Sequence, residues 1–248
     1  MEYLSVVIIT KNNELIIEKC LQSVVWADEI IVVDSGSTDN TISICNKYKC
    51  KVIKSEWLGF GKTKQLAVKL ASHNWIFSID SDEVCSAKLK EDIIKLINNQ
   101  NNVSGYRIKR QTYYLNKPIH YCGWQNDYPI RLFRKDKGTF NTNNIHEYVE
   151  LDGEIKNITS LLLHFSFPTI SSHLEKINTY SSLSAKVAFE KNKKSSLSAA
   201  ILKGTFKFFK MFILQLGFMD GMTGLILSKN SAFGVYLKYI KIYELNKK

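Results

Sequence analysis

The sequence predicts an α/β fold, and three observations carry that prediction. Apolar, β-branched runs of strand length alternate with helix-period segments over roughly the first 100 residues, at the spacing of βα units. These runs are apolar throughout instead of alternating, as are the strands of a parallel sheet covered on both faces. Two of them stop abruptly at acidic side chains, Asp34 and Asp80.

Leu4 to Thr10 is the first strand. It is too short to span a membrane, and the polar run Lys11-Asn12-Asn13-Glu14 that follows argues against a signal peptide. Glu14 to Val25 reads as a helix with Leu15, Ile16, Cys20, Leu21 and Val24 on one side. Ile30 to Val33 is the second strand; the Ser35 to Asp39 loop leads to a helix, Thr41 to Tyr48, that carries Ile42, Ile44 and Cys45. Lys51-Val52-Ile53 makes a short third strand. Lys62 to Ser72 is a helix after a Gly59-Phe60-Gly61 turn, and Trp75 to Ile79 is the fourth strand.

Polar loops therefore follow three strand ends, at Thr10 to Asn13, Asp34 to Asp39 and Asp80 to Glu83. Right-handed crossovers bring them to one edge of the sheet, where open α/β folds bind ligands. Asp80 and Asp82, one residue apart on a turn, can converge on one hard divalent cation, which in turn binds phosphate oxygens. That points to a nucleotide substrate. No Gly-x-x-x-x-Gly-Lys-Ser/Thr occurs, and Gly59-Phe60-Gly61 lacks a third glycine, so Walker-type hydrolysis and dinucleotide redox chemistry lose ground.

The run Ser5 to Asn12, then Trp26 to Thr41 with Asp34-Ser35-Gly36-Ser37-Thr38-Asp39, then Asp80-Ser81-Asp82-Glu83, resembles family 2 glycosyltransferases of the GT-A fold. Gly123-Trp124, Arg131-Leu132-Phe133-Arg134, Ile145-His146-Glu147 and Gly217-Phe218-Met219-Asp220-Gly221 are similar to the bacterial subgroup that adds a hexose to the lipopolysaccharide inner core, typified by β1,4-glucosyltransferases acting on heptose. The spaced set is specific, and it runs from Val6 to about Tyr243.

The resemblance implies a mixed sheet flanked by helices, with a GT-A catalytic domain over 1–165 and a helical extension over 166–248. Within the catalytic domain the donor half covers about 1–100 and the acceptor half about 101–165. It implies an inverting transfer of a hexose, glucose by family default, from a UDP-sugar to a core heptose. Asp34 matches the carboxylate that recognises uracil or ribose, and Thr10 and Glu14 lie in the loop facing the same base. Lys64 matches a basic residue near the nucleotide, although Gln65 stands where an Asn usually follows. Asp80 and Ser81 are expected beside the ribose, and Asp82, with Asp80 and His146, at Mg²⁺ or Mn²⁺. Glu147 matches the acid-base position, with Asp127 as the alternative base. Trp124, Asp127, Arg131 and Arg134 are expected around the acceptor.

Such a transfer requires a carboxylate within ~3 Å of the acceptor hydroxyl, worth roughly a hundred- to ten-thousand-fold in rate. A divalent cation stabilises the charge that develops on the leaving diphosphate. Plainer readings stand beside these. Asp39 suits a cap on the Thr41 helix, Lys64 a solvated helix face, Trp124 a packing anchor and Glu83 an exposed site beside the metal loop. Arg131 and Arg134, three apart on a strand, point to opposite faces, so only one reaches the site.

Composition narrows the setting. The five cysteines include no Cys-x-x-Cys, so zinc is disfavoured and reduced thiols in the cytosol are expected. Thirty-four basic against 23 acidic residues give a net charge of +11, and lysines crowd Lys186 to Lys248. There, Thr205 to Leu216 is strongly apolar, with Lys203, Lys207 and Lys210 on one helix face. At about 18 Å it is short of the ~30 Å hydrocarbon core, so it fits an interfacial helix, which the acceptor implied by the resemblance would place on the cytoplasmic face of the inner membrane; the other reading is a helix packed on the catalytic domain or in a dimer interface. The aromatics sit among apolar residues and no RNA-recognition signature interleaves them with Arg or Lys, which disfavours nucleic-acid binding. A sugar nucleotidyltransferase would open with a glycine-rich loop, which Thr10 to Glu14 is not.

Overall fold

The computed structural model describes residues 2–99, 102–141 and 147–247. In chain order its elements are β1 (Leu4–Thr10), α1 (Ile17–Val24), β2 (Glu29–Asp34), α2 (Thr41–Lys47), β3 (Lys51–Lys54), α3 (Phe60–Leu70), β4 (Trp75–Ser78), β5 (Glu83–Cys85) and α4 (Ala87–Ile97), followed by β6 (Val103–Tyr114), β7 (Lys117–Pro118), β8 (Ile130–Arg134), β9 (Gly138–Phe140), β10 (Val149–Leu151), β11 (Glu154–Phe167), α5 (Ile170–Glu190), α6 (Leu197–Phe209) and α7 (Gly221–Leu245). A π turn (Lys210–Leu214) and a 3₁₀ turn (Gly217–Asp220) join α6 to α7.

The main sheet has the order β3-β2-β1-β4-β8-β6-β11-β5, with β7 paired to β6. β1 to β4 are parallel, as expected for strands joined by helical crossovers. β8 pairs antiparallel with both β4 and β6, so the sheet is mixed, as the resemblance implies, and its parallel part is the four strands that the βα alternation of the first 100 residues predicts. The reason is connectivity: no helix lies between β6 and β8, and without a crossover the chain returns antiparallel.

β1, β2 and β3 step outward on one side, and β4 returns to the other side of β1. The strand order thus reverses between β1 and β4, at the carboxyl ends that carry Thr10 and Asp80. Alternation sorts β1 between two apolar layers. Leu4, Val6 and Ile8 pack with Ile17, Leu21, Leu89 and Ile93 of α1 and α4, while Val7 and Ile9 pack with Ala67 and Val68 of α3. Each such buried side chain contributes roughly 1.5–3 kcal/mol.

The chain divides into two compact units, one of Met1–Arg110 with Asp127–His164, the other of Gln111–Asn126 with Phe165–Lys248. In the second unit Thr169 caps α5 through a reciprocal bond with Ser172, and the Ser196 hydroxyl caps α6 by accepting from the Ala199 amide at 3.2 Å. The Asp220 carboxylate accepts from the backbone amides of His120 and Tyr121 at 3.0 and 2.9 Å, so the Gly217 to Gly221 motif fastens the 120–124 loop. Gly123 in that loop has φ +80°, and a Cβ there would lie 2.4 Å from the Gln215 side chain. The five cysteines are free; burial pushes Cys45 and Cys122 up to about 11 and Cys50 and Cys85 up to about 12.

Candidate active site

β4 ends in a tight turn that sets the site. The Glu83 amide donates to the Asp80 carbonyl at 2.9 Å, and the Asp80 amide donates to the Glu83 carboxylate at 2.9 Å. α3 runs over this edge with Gly61, Thr63, Lys64, Ala67 and Val68 turned inward. A Cβ on Gly61 would come 2.1 Å from the Asn141 carbonyl, so only glycine permits that approach. Lys64 is 4% exposed, and its Nζ lies 2.8 Å from Asp80 Oδ1 and 3.0 Å from Glu147 Oε1. This removes the solvated-face reading of Lys64. Gln65, beside it, accepts from the Phe140 amide at 2.8 Å and ties α3 to β9.

On the other side of Asp80, Arg131 of β8 donates to Asp80 Oδ2 at 2.5 Å and to Glu83 Oε1 at 2.7 Å. Arg110 donates to Glu83 at 3.0 Å and, through Nε and a terminal nitrogen, to Asp127 Oδ2 at 2.7 and 2.6 Å. Seven side chains therefore alternate in sign along one continuous series: Glu147, Lys64, Asp80, Arg131, Glu83, Arg110, Asp127. Glu83 is fully buried, which corrects the expectation of an exposed residue. Two guanidinium groups make that burial tolerable. Burial works against the charged form of Asp80, but Arg131 and Lys64 outweigh it and hold the carboxyl well below its usual range. Asp80, expected at a metal, thus meets two cations with its two oxygens.

Asp82 is placed differently. Its Oδ1 lies 3.5 Å from His164 Nε2, on β11, whose antiparallel register sets His164 opposite Glu83. Sequence reading missed His164; a lone imidazole in the run Leu161-Leu162-Leu163-His164 was the available signal. Ser81 between the two acids is buried. Among the described residues no group of three or more His, Cys, Asp or Glu side chains clusters around one point, and His146 lies outside the described residues.

At the end of β2 the Asp34 carboxylate folds back on its own loop, accepting from the amides of Gly36 and Ser37 at 3.0 and 2.9 Å and from the Ser37 hydroxyl. Thr10 is buried and accepts from Asn13 Nδ2 at 3.3 Å. Glu14 accepts from the amide and side chain of Asn40, both at 2.9 Å, and Asp39 accepts from the Thr41 amide at 3.0 Å, a helix-capping contact. Buried polar atoms remain without a hydrogen-bond partner among the described residues: Ser35 Oγ beside Asp34, Arg131 Nε, and both amide atoms of Asn141. Such atoms are costly unless a ligand or water meets them.

The model of glycosyl transferase family 2 matches residues 5–148, which contain every member of the charge series. The chain belongs to glycosyltransferase family 2. An uncharacterized glycosyltransferase of Rickettsia felis is 33% identical over 98% of this chain and 90% of its own. The lipopolysaccharide core biosynthesis glycosyltransferase LpsC of Rhizobium meliloti is 29% identical over 97% of this chain and 92% of its own. Among solved structures, residues 1–349 of Staphylococcus aureus TarS align with 99% of this chain and 91% of that one, at 16% identity and a TM-score of 0.47.

Not every residue expected at the site of this glycosyltransferase joins the charge series. Arg134, on the opposite face of β8 from Arg131, lies 4.9 Å over the Trp75 ring and donates to the Val103 carbonyl at 3.3 Å. In the second unit Trp124 packs against the cluster of Tyr114, Ile119, Cys122, Met211 and Leu227. That is the packing role.

Proposed function

We propose that this glycosyltransferase transfers a hexose, glucose in the first instance, with inversion from a UDP-sugar to a heptose of a lipopolysaccharide core, and works on the cytoplasmic face of the inner membrane. The observation that carries the reading is the convergence of Lys64 and Arg131 on Asp80 at the carboxyl edge of the sheet where the strand order reverses. Buried cations at such an edge suit a diphosphate, and the name of the LpsC relative supports a core-saccharide acceptor.

Asp34 and the unpartnered Ser35 hydroxyl would face the nucleoside, with Thr10 and Glu14 shaping the same loop. Lys64 and Arg131 have alternative acidic partners, Glu147 and Glu83, so they can turn to an incoming phosphate without being left unpaired. A divalent cation would be held by Asp82, on the turn before β5, and His164 of the neighbouring β11. Bound there, Mg²⁺ or Mn²⁺ would stabilise charge on the departing UDP. Glu147 would accept the proton of the attacking heptose hydroxyl, and Lys64, 3.0 Å away, orients it.

Incubating the protein with UDP-glucose, Mn²⁺ and truncated lipopolysaccharide cores tests this. Released UDP and a core heavier by one hexose are expected. Pyrophosphate instead of UDP would mean nucleotidyl transfer, and UDP release without hexose gain on any heptose-ended core would overturn the acceptor.

A further inference from the structure

α6 and the turns after it bury their small residues and expose most of their large ones, with Met211 the buried exception. Ala200 and Gly204 face inward, and a Cβ on Gly204 would come 3.1 Å from Tyr236 Cβ. Leu202, Phe206, Leu214, Met219 and Met222 are instead 55–71% exposed, a run that continues around the elbow from α6 through the π and 3₁₀ turns into α7. Isolated exposed apolar side chains are ordinary, but a contiguous set of this size marks a surface that meets something.

The charge of the second unit says what. Gln111–Asn126 and Phe165–Lys248 hold 14 lysines and four acidic residues, ten of the eleven net positive charges of the whole chain. The first unit is close to neutral by the same count. The expected stripe is altered in one respect: Lys203 lies 4.9 Å over the Tyr239 ring and Lys207 is half-buried, while Lys210 and Lys229 flank the apolar elbow in the open. Among the described residues no single helix is long and apolar enough to cross a membrane, and the two helical segments meeting at the elbow are bent by 73°. An apolar ridge rimmed by lysines, on an element that cannot span as one helix, has the composition of a leaflet-docking surface.

We propose that the α6–α7 elbow, residues 202–222, docks the enzyme on an anionic phospholipid leaflet, with Leu214, Met219 and Met222 entering the acyl region and Lys210 and Lys229 at the phosphates. The inference deepens the proposed function and rests on its reading of the acceptor as membrane-borne. A groove of about 390 Å³ between α6 and α7, lined by Phe208, Ala232, Phe233 and Lys229, offers an apolar slot beside a cation on the same element.

Flotation of the full chain with phosphatidylcholine vesicles, with and without phosphatidylglycerol, tests it. Binding should need the anionic lipid and fall severalfold as salt shortens the screening length from about 10 to about 3 Å. Leu214→Glu with Met222→Glu should weaken it at least tenfold, while thermal melting and UDP release on a delipidated core oligosaccharide stay unchanged. In the unmodified protein, vesicles should slow oxidation of Met219 and Met222 and leave that of buried Met211 as it is, a readout that requires no variant. Absence of vesicle binding, equal binding to neutral vesicles, unchanged binding by the variant, or a dimer that the same variant dissociates would each overturn the proposal. UDP release on the delipidated core is read without any membrane, so failure of the elbow and failure of the transferase reading are separate results.

Discussion

β2 and β4 flank β1, and Asp34 ends the one while Asp80 lies two residues past the other, yet the two carboxylates are satisfied in opposite ways. Asp34 accepts from backbone amides two and three residues on, so its partners cannot leave without undoing the loop. Asp80 accepts from Lys64 and Arg131, whose long side chains each have a second acid to hold. One arrangement fixes a shape. The other holds two cations that, on the proposed function, an incoming diphosphate would draw on.

The comparison breaks most sharply on turnover. Asp82→Asn keeps the side-chain shape but loses the charge proposed to hold the cation, and should lower transfer by roughly a thousandfold, several kcal/mol of barrier, with folding intact. Full activity of that variant at saturating Mn²⁺ would take Asp82 out of the metal site. Glu147→Gln should cost roughly a hundred- to ten-thousand-fold in kcat with UDP affinity by calorimetry unchanged. An active Glu147→Gln beside an inactive Asp127→Asn would move the base to the other end of the charge series, where Arg110 grips Asp127.

Stability sharpens the same contrast at a smaller scale. Asp80→Asn leaves Lys64 and Arg131, both buried, with one acid each, so the urea midpoint should report a loss of roughly 2–4 kcal/mol, short of the ~3–5 for a buried pair broken outright. Asp34→Asn retains one acceptor oxygen for the loop amides and should lose only about 1 kcal/mol. Equal losses would mean that the two strand ends do not differ in kind.

Much of the first unit was legible because periodicity and strand-end chemistry are local. Leu4–Thr10 is placed to the residue, and Asp34 and Asp80 do sit at one sheet edge. What remained illegible depends on partners distant in sequence. Glu83 looked like an exposed loop acid because Arg110 and Arg131, which make its burial tolerable, lie 27 and 48 residues away. His164 needed the β5–β11 register to stand near Asp82. The apolar segment Thr205 to Leu216 was legible as helical, but its bounds were not: α6 begins at Leu197 and gives way at Lys210 to a π turn, and burial of Ala200 and Gly204 depends on how closely α7 approaches.

Acid titration should separate Asp80 from the His173 imidazole of the second unit. Burial, with Lys176 adding a smaller push, lowers His173 from 6.5 to about 4, where its Nδ1 lies 2.9 Å from the Tyr114 hydroxyl and 3.5 Å from Asn230 Nδ2. The folded state then excludes a proton that the unfolded chain binds, so this stability is complete above pH 6.5 and lost as pH falls toward 4. At ~1.4 kcal/mol per unit the loss from pH 7 to pH 5 comes to roughly 2 kcal/mol. Asp80 is the depressed-carboxyl case: its contribution persists above the ordinary value of 3.8 and fades only below it. His173→Gln should therefore flatten the slope of urea stability between pH 7 and pH 5 and leave the steeper loss below pH 3.8 in place. If the variant instead keeps the upper slope, the group titrating between pH 5 and pH 7 is not His173, and the contrast between Asp80 and His173 does not hold.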